Sequence, residues 1–345
     1  MKTVIHVLSV HTLVNNPFVQ ILDTGITSDS FRVDTCTKSF WDRKKRYDII
    51  QIHWPEFLLY NKNNNFPTKE FGELLYETLH LWKKSGTKIV FTRHDETTHY
   101  VKNKDFRTNL FEIVETGADA IVHLGNFSKN QMVKCNAENS QLHVVIPHHI
   151  YDTIYHRSIS KEEARKVLDI HEKFKVILCF GKFRDAEEQL LVKNAFEQFN
   201  ESEKYLFAPS WYHTNWRVHE NHIKPAGQSW LGQGKVDKNM LPYCFAAADV
   251  VFIQRLRNLN SGNLFMGFLF NKTVVGPAIG NITEYLDNIH NFSFDPFDPT
   301  SVVLALEKGM KRSLFPQVNE SYARSHLNTA IICEHYRKLY QQLVL

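Results

Sequence analysis

His94 and Asp95 place an imidazole beside a carboxylate just after the apolar run "TKIVFT" and Arg93. Such a pair at a strand end could take a proton from a hydroxyl as general base. Glu56, which follows His53, Trp54 and Pro55, is a third candidate for that role, and the residues themselves do not rank the three. Asp95 could instead cap the next element, and Trp54 could either stack on the face of a sugar ring or pack in a core. A cationic group follows the run "KVILCF", in the order Gly181, Lys182, Phe183, Arg184. Asn260, Ser261 and Gly262 then open the apolar segment "NLFMGFLF", just after "ADVVFIQ". Serine and asparagine there could cap a helix. The same junction could bind an anion through free backbone N–H groups, with glycine allowing close approach. A helix terminus contributes only ~0.3–2 kcal/mol to an anion, so a diphosphate would also need Lys182 and Arg184. Such groups would stabilise developing negative charge without a metal ion.

The elements that must position these residues alternate. Apolar runs "TVIHVLSV", "YDIIQIHW", "TKIVFTR", "DAIVHLG" and "LHVVIP" are separated by helix-like segments such as "TKEFGELLYETLHLWKKSG" and "FRTNLFEIVETG". A second series begins with "KVILCFG" and continues through "KYLFAPS", "DVVFIQ" and "KTVVGP". Continuous apolar strands between helices indicate parallel sheets covered on both faces. The 345 residues suit about two domains, and "PHHIYDTIYHRSIS" reads as the connection between them. The expected architecture is α/β, with two Rossmann-like doubly wound domains, 1–150 and 151–328, facing a central cleft. An amphipathic helix over 329–345 should pack back on the first. In such sheets ligands bind beyond the carboxyl ends of the strands, where all the candidate groups fall.

At this point the order of motifs resembles nucleotide-sugar-dependent glycosyltransferases of the GT-B fold, in the group 1 or family 4-like branch. The segment "SKEEARKVLDI…KVILCFGKFRDAEEQLLVKNAF" is similar to the family's entry to its donor domain. "LPYCFAAADVVFIQRLRNLNSGNLFMGFLFNKTVVGPAIGNITEYL" is similar to its donor-site segment, and "TRHDETTH" to a His-Asn…His motif of a polysaccharide-assembling branch. The resemblance implies transfer of a sugar from a nucleotide-sugar donor to a glycan or lipid-linked acceptor, with no cofactor. Residues 1–150 would serve the acceptor and 151–328 the donor. The donor would sit on Gly181, Lys182, Arg184, Asn260, Ser261 and Gly262, with Asp95, His94 or Glu56 as base in an inverting reaction. The chain departs from the family where many members carry two glutamates, having Asn258 and Met266 instead, and Glu187 stands where a donor-loop lysine is common. Those departures suit the alternative, a non-catalytic sugar-nucleotide or glycan-binding protein on the same fold.

Other classes are excluded or disfavoured by composition. With 43% hydrophobic and 23% charged residues the chain is globular, and a net charge of +4 is too small to indicate a nucleic-acid partner. It suits an anionic ligand or an acidic membrane surface. The clusters Arg43, Lys44, Lys45, Arg46 and Lys102, Lys104 would allow peripheral contact with anionic lipid. The five cysteines are scattered without a CxxC pair, which fits a cytoplasmic protein without disulfides or zinc. The basic-then-apolar N-terminus reads as a first strand rather than a signal peptide, since His6 and His11 interrupt it. The 18 histidines are dispersed, and His148 and His149 would point to opposite sides of a strand. Asp295 and Asp298 read as a turn before a helix, so no metal site is expected. The dinucleotide fingerprint Gly-x-Gly-x-x-Gly is missing after the first strand, which removes a Rossmann dehydrogenase.

Overall fold

The computed structural model describes residues 1–7, 16–42, 44–55, 58, 69–96, 104–135, 141–156, 158–212 and 223–344. The chain divides into two compact units, Met1–His149 with Thr329–Leu345, and Ile150–Asn328.

In the first unit, β1 (Lys2–Val7), β2 (Phe31–Thr35), β3 (Ile49–Ile52), β4 (Lys88–Arg93), β5 (Ala120–His123) and β6 (Leu142–Val145) form one sheet. Its order is β2-β1-β3-β4-β5-β6 and every pairing is parallel. The helices are α1 (Pro17–Ile26), α2 (Thr37–Trp41), α3 (Lys69–Lys84), α4 (Lys104–Gly117) and α5 (Asn126–Cys135). The strands read "IIQI", "IVF" and "AIV" because both faces of the sheet are covered, leaving no solvent side for polar residues. Asn16 starts α1 by accepting the Phe18 N–H (3.1 Å), and Pro17 occupies the first turn, where a missing N–H costs nothing.

In the second unit, β7 (Lys175–Leu178), β8 (Lys204–Tyr212), β9 (Ser229–Gln233), β10 (Val250–Phe252), β11 (Thr273–Pro277) and β12 (Phe292–Phe294) pair in the order β12-β11-β10-β7-β8-β9, again all parallel. The helices are α6 (Lys161–Val167), α7 (Ala186–Gln198), α8 (Leu241–Ala247), α9 (Gly262–Leu269), α10 (Pro299–Ser313) and α11 (Asn319–His326). Asp298 accepts the Thr300 N–H (2.9 Å) and so caps α10.

The last helix, α12 (Thr329–Val344), belongs to the first unit. Its residues Ile332, Cys333, Tyr336, Leu339 and Tyr340 share a core with Val4, Phe18, Val19, Leu22, Ile49 and Val90. Gly25 in α1 lies so close to Cys333 that any side chain at Gly25 would overlap the Cys333 sulfur. Under this helix the strands carry polar groups that the tyrosines satisfy. The Tyr340 hydroxyl donates to Gln51 (3.0 Å) and lies 3.2 Å from His6 Nε2. Gln51 Nε2 donates to the Thr92 hydroxyl, itself 3.4 Å from the Tyr336 hydroxyl. These contacts give the buried Gln51 and Thr92 side chains and both tyrosine hydroxyls polar partners, as burial demands.

Candidate functional site

The strand orders locate the reactive ends of both sheets. In the second sheet β7 lies between β8 and β10, so the chain runs outward in both directions from the β7–β10 pair. That is the topological switch point, where the loops leaving neighbouring strands part and open a crevice. The turn 180–185 leaves β7 there, and the segment 253–261 leaves β10 and enters α9. These carry the cationic group and the Asn260–Gly262 junction.

Within this unit the two segments are tied together. Gln254 Nε2 donates to the carbonyls of Phe180 (3.2 Å) and Gly181 (3.3 Å), and Asn263 Nδ2 donates to Phe180 (2.7 Å). Arg255 donates to Glu188 (2.6 Å) and to the Lys182 carbonyl (3.0 Å). Glu188 also accepts the Arg184 N–H (2.7 Å). Burial pushes the Glu188 carboxyl up from the ordinary range, while the Arg255 guanidinium pulls it back. Gly181 holds φ near +90°, a conformation that favours glycine. Lys182 is exposed. The Arg184 side chain reaches across to the Arg257 carbonyl (2.6 Å) and Asn258 Oδ1 (3.4 Å), so it bridges the segments.

Ser261 occupies the N-cap position of α9, but its side chain makes no cap bond. Gly262 has a packing reason to be glycine: a Cβ there would lie 2.8 Å from the Tyr151 hydroxyl. Tyr151 is buried, with φ +61°. A valine at Gly262 would therefore displace Tyr151 as well as fill the junction, and it is not a clean probe of ligand approach. Asn260 is braced from below. Asn281 Nδ2 donates to Asn260 Oδ1 (2.9 Å) and the Asn281 N–H donates to the Leu259 carbonyl (2.8 Å). Gly280, with φ +60°, lets this turn approach, since a Cβ would sit 2.6 Å from the Leu259 carbonyl oxygen. Gly280→Ala should therefore cost about 1–3 kcal/mol of stability, measured by urea denaturation. An unchanged midpoint would show that the turn does not need its glycine.

In the first unit the sheet reverses between β1 and β3, and the ends of β1, β3 and β4 lie side by side. His6 near the end of β1, His53 after β3 and His94 after β4 form one aromatic cluster with Phe18 of α1. His53 Nδ1 lies 3.1 Å from His94 Nε2, and the His6 and His53 rings meet edge-on at 5.1 Å. His6 pairs with Asp23, which also accepts from the Thr35 hydroxyl. Trp54 stacks on His94 at 4.1 Å, so that imidazole covers one face of its indole. The Phe18 ring meets His94 edge-on at 5.0 Å and stacks on His149 at 4.8 Å, with His148 at 4.6 Å. His148 and His149 thus share one neighbour. The expectation that they must point apart fails because they lie beyond the end of β6, outside the strand pleat.

The two imidazole–carboxylate neighbours differ in environment. His94 is buried, and its pKa is pushed down to about 3 by that burial, which outweighs the upward pull of Asp95; His148 pushes it further down. It is a neutral imidazole at pH 7 and a weak base. Asp95 is partly exposed, whereas the His94 ring is buried. Glu56 lies outside the described residues. Among the described residues no group of three or more His, Cys, Asp or Glu side chains could hold a metal ion.

The chain matches no protein-family model and no curated protein sequence. Solved structures do match along its whole length. A sucrose-phosphate synthase from Thermosynechococcus elongatus superposes with a TM-score of 0.71 at 13% identity, covering 99% of each chain. HepE from Anabaena, in complex with UDP-glucose, gives 0.69 at 10% identity, covering 99% of this chain and all of the other. A UDP-forming trehalose-phosphate synthase from Burkholderia xenovorans gives 0.64 at 12% identity, covering 100% and 99%. The chain has the GT-B fold. At such identities the likeness is one of fold, and the GT-B fold supplies two Rossmann-like sheets on which a site must still be argued residue by residue. The structure places the candidate residues Gly181, Lys182, Arg184 and Asn260–Gly262 at the β7–β10 switch point. Glu188, Arg255, Asn263, Gly280 and Asn281, which brace those segments, were not singled out in the sequence. Nor, in the first unit, was Phe18, around which the histidines pack.

Proposed function

We propose that the chain is a metal-independent glycosyltransferase that moves a sugar from a nucleoside-diphosphate donor to a glycan or lipid-linked acceptor. The observation that carries this reading is the β7–β10 switch point. There a helix whose N-cap side chain makes no cap bond faces the same crevice as a glycine turn bearing Lys182 and Arg184. Helix N–H groups and cations together suit a diphosphate and would stabilise the charge that grows on it as the glycosidic bond breaks. The likeness to HepE solved with UDP-glucose supports the same choice of donor class. The unit Ile150–Asn328 would bind the donor, and the unit closed by α12 would bind the acceptor, with Asp95 as the base. No helix among the described residues is long and apolar enough to cross a membrane. We place the protein in the cytoplasm, with the exposed Lys44, Lys45 and Arg46 drawn to anionic lipid around a membrane-linked acceptor of a surface polysaccharide.

The alternative, a sugar-nucleotide-binding protein without turnover, is favoured by two of the departures from the family. Met266 is buried in α9, out of reach of a ligand, and Asn258 is occupied by Arg184. The two readings separate on whether a bound nucleotide-sugar is consumed. Thermal-shift screening with UDP, GDP, CMP and their sugars finds the ligand, because binding to the folded state raises the melting temperature. Calorimetry then compares wild type with Lys182→Met, a cleaner probe than Arg184→Ala because Arg184 also bridges the two segments. Loss of one charge-assisted contact should weaken nucleoside-diphosphate binding about 10- to 100-fold. Equal affinity in both proteins would remove Lys182 from the site. Binding of a nucleotide-sugar without its consumption, across a panel of acceptors, would favour the non-catalytic reading.

A further inference from the structure

Glu188 and Arg255 are 67 residues apart in sequence, and neither belongs to the donor residues proposed above. Glu188 lies in the first turn of α7, where Asp185 caps the helix by accepting the Glu188 N–H (2.9 Å). Arg255 follows β10. Their side chains are 2% and 14% exposed, so the pair is a largely buried ion pair. Removing two charges from water is costly, and well-packed apolar side chains in the same place often stabilise a protein as much or more. What two apolar residues cannot supply is direction. This pair aims three hydrogen bonds: Arg255 to Glu188, Arg255 to the Lys182 carbonyl, and the Arg184 N–H to Glu188. Two of them end on the backbone of the residues that carry the cations. The Arg255 guanidinium also stands beside Gly181, 3.8 Å from where a Cβ would be, as does the Asn263 amide at 3.7 Å. The glycine turn is therefore flanked by donors from the segment that links β10 to α9.

We propose that Glu188 and Arg255 are a positioning pair: their ion pair fixes the backbone of Lys182 and Arg184 at the separation from the α9 N-terminus that a diphosphate requires. The inference rests on the donor reading given above and adds to it the device that sets the geometry. Arg255 restrains the turn from the β10 side and Glu188 from the α7 side, so the pair joins both neighbours of the crevice to one point.

The test compares wild type, Arg255→Lys and the double variant Glu188→Met/Arg255→Met, which leaves net charge unchanged. Melting temperature and calorimetric affinity for UDP or GDP, whichever wild type binds, are the readouts. The double variant should melt at or above the wild-type temperature yet bind roughly 10- to 100-fold more weakly, the loss expected when one charge-assisted contact to the diphosphate is held out of place. Arg255→Lys keeps the charge but not the two-pronged geometry, and should fall between the two. If the double variant fails to fold, Glu188→Gln, similar in size but uncharged, must bind at least tenfold more weakly while folded. A folded variant that binds like wild type overturns the pair and leaves the donor site standing. A wild type that binds neither nucleotide overturns the donor reading, and the pair's positioning role falls with it.

Discussion

Between pH 7 and pH 5 the protein should lose on the order of 5 kcal/mol of stability, through the histidines of its first unit. His94 and His123 are held at a pKa of about 3 and His149 at about 4, each chiefly by burial, which disfavours the charged ring. His53 and His148 are lowered in the same direction. An unfolded histidine titrates near 6.5, so the unfolded chain takes up protons first as pH falls. The stability these rings contribute is complete above about pH 7. It is lost as pH drops below the unfolded value toward the folded ones, at up to about 1.4 kcal/mol per pH unit for each histidine. The losses do not simply add, because the rings of His53, His94, His148 and His149 all touch Phe18. A typical domain has only about 5–15 kcal/mol to lose, so a loss of this order should lower the melting temperature markedly by pH 5. Melting curves at pH 8, 7, 6 and 5 measure this, with His149→Phe expected to flatten the slope. A melting temperature constant within a few degrees over that range would mean the imidazoles are not held neutral by the fold.

Asp95→Asn should lower turnover about 100- to 10,000-fold if the transfer inverts the anomeric centre, the range for removing a general base. Donor affinity should stay close to wild type, since the proposed donor residues all lie in Ile150–Asn328. His94→Gln should cost less. His94 is a buried neutral ring packed between Trp54 and Phe18, and its effect would come through the position of Asp95. Steady-state rates, with the product's anomeric configuration read by NMR in the same assay, decide the matter. Turnover within tenfold of wild type in Asp95→Asn, with an inverted product, would exclude Asp95 as the base.

The fold was legible where elements are long or sharply patterned. The runs "DIIQI", "KIVF" and "DVVF" are strands, and the series "KEFGELLYETLHLWKK" and "TAIICEHYRKLYQQLV" are helices. β12 has three residues and β9 begins with serine and contains Gly232, so neither carries enough alternation to stand out. α1 contains Gly25 and follows two asparagines, which mimics a loop. Its cap at Asn16 and proline at the first turn were the readable signal. The cations and glycine of the candidate donor site could be picked out because they lie at strand ends. Their supports could not. Glu188 with Arg255, and Asn260 with Asn281, meet only when α7, β10 and the turn after β11 come together, and no local spacing announces that. The histidines around Phe18 were invisible for the same reason. They come from three strand ends and from the segment after β6.

The placement of α12 has a consequence during synthesis. The first unit begins at Met1, but its core stays open until the residues from Thr329 onward leave the ribosome. At about 5–20 residues per second, roughly 10–40 s separate His149 from Thr329. By the end of that interval the second unit has every residue it needs, while Val4, Phe18 and Val90 still wait for Ile332, Tyr336 and Tyr340. The part of the chain made first is thus finished last, and the nascent polypeptide exposes apolar sheet surface to whatever chaperones attend it.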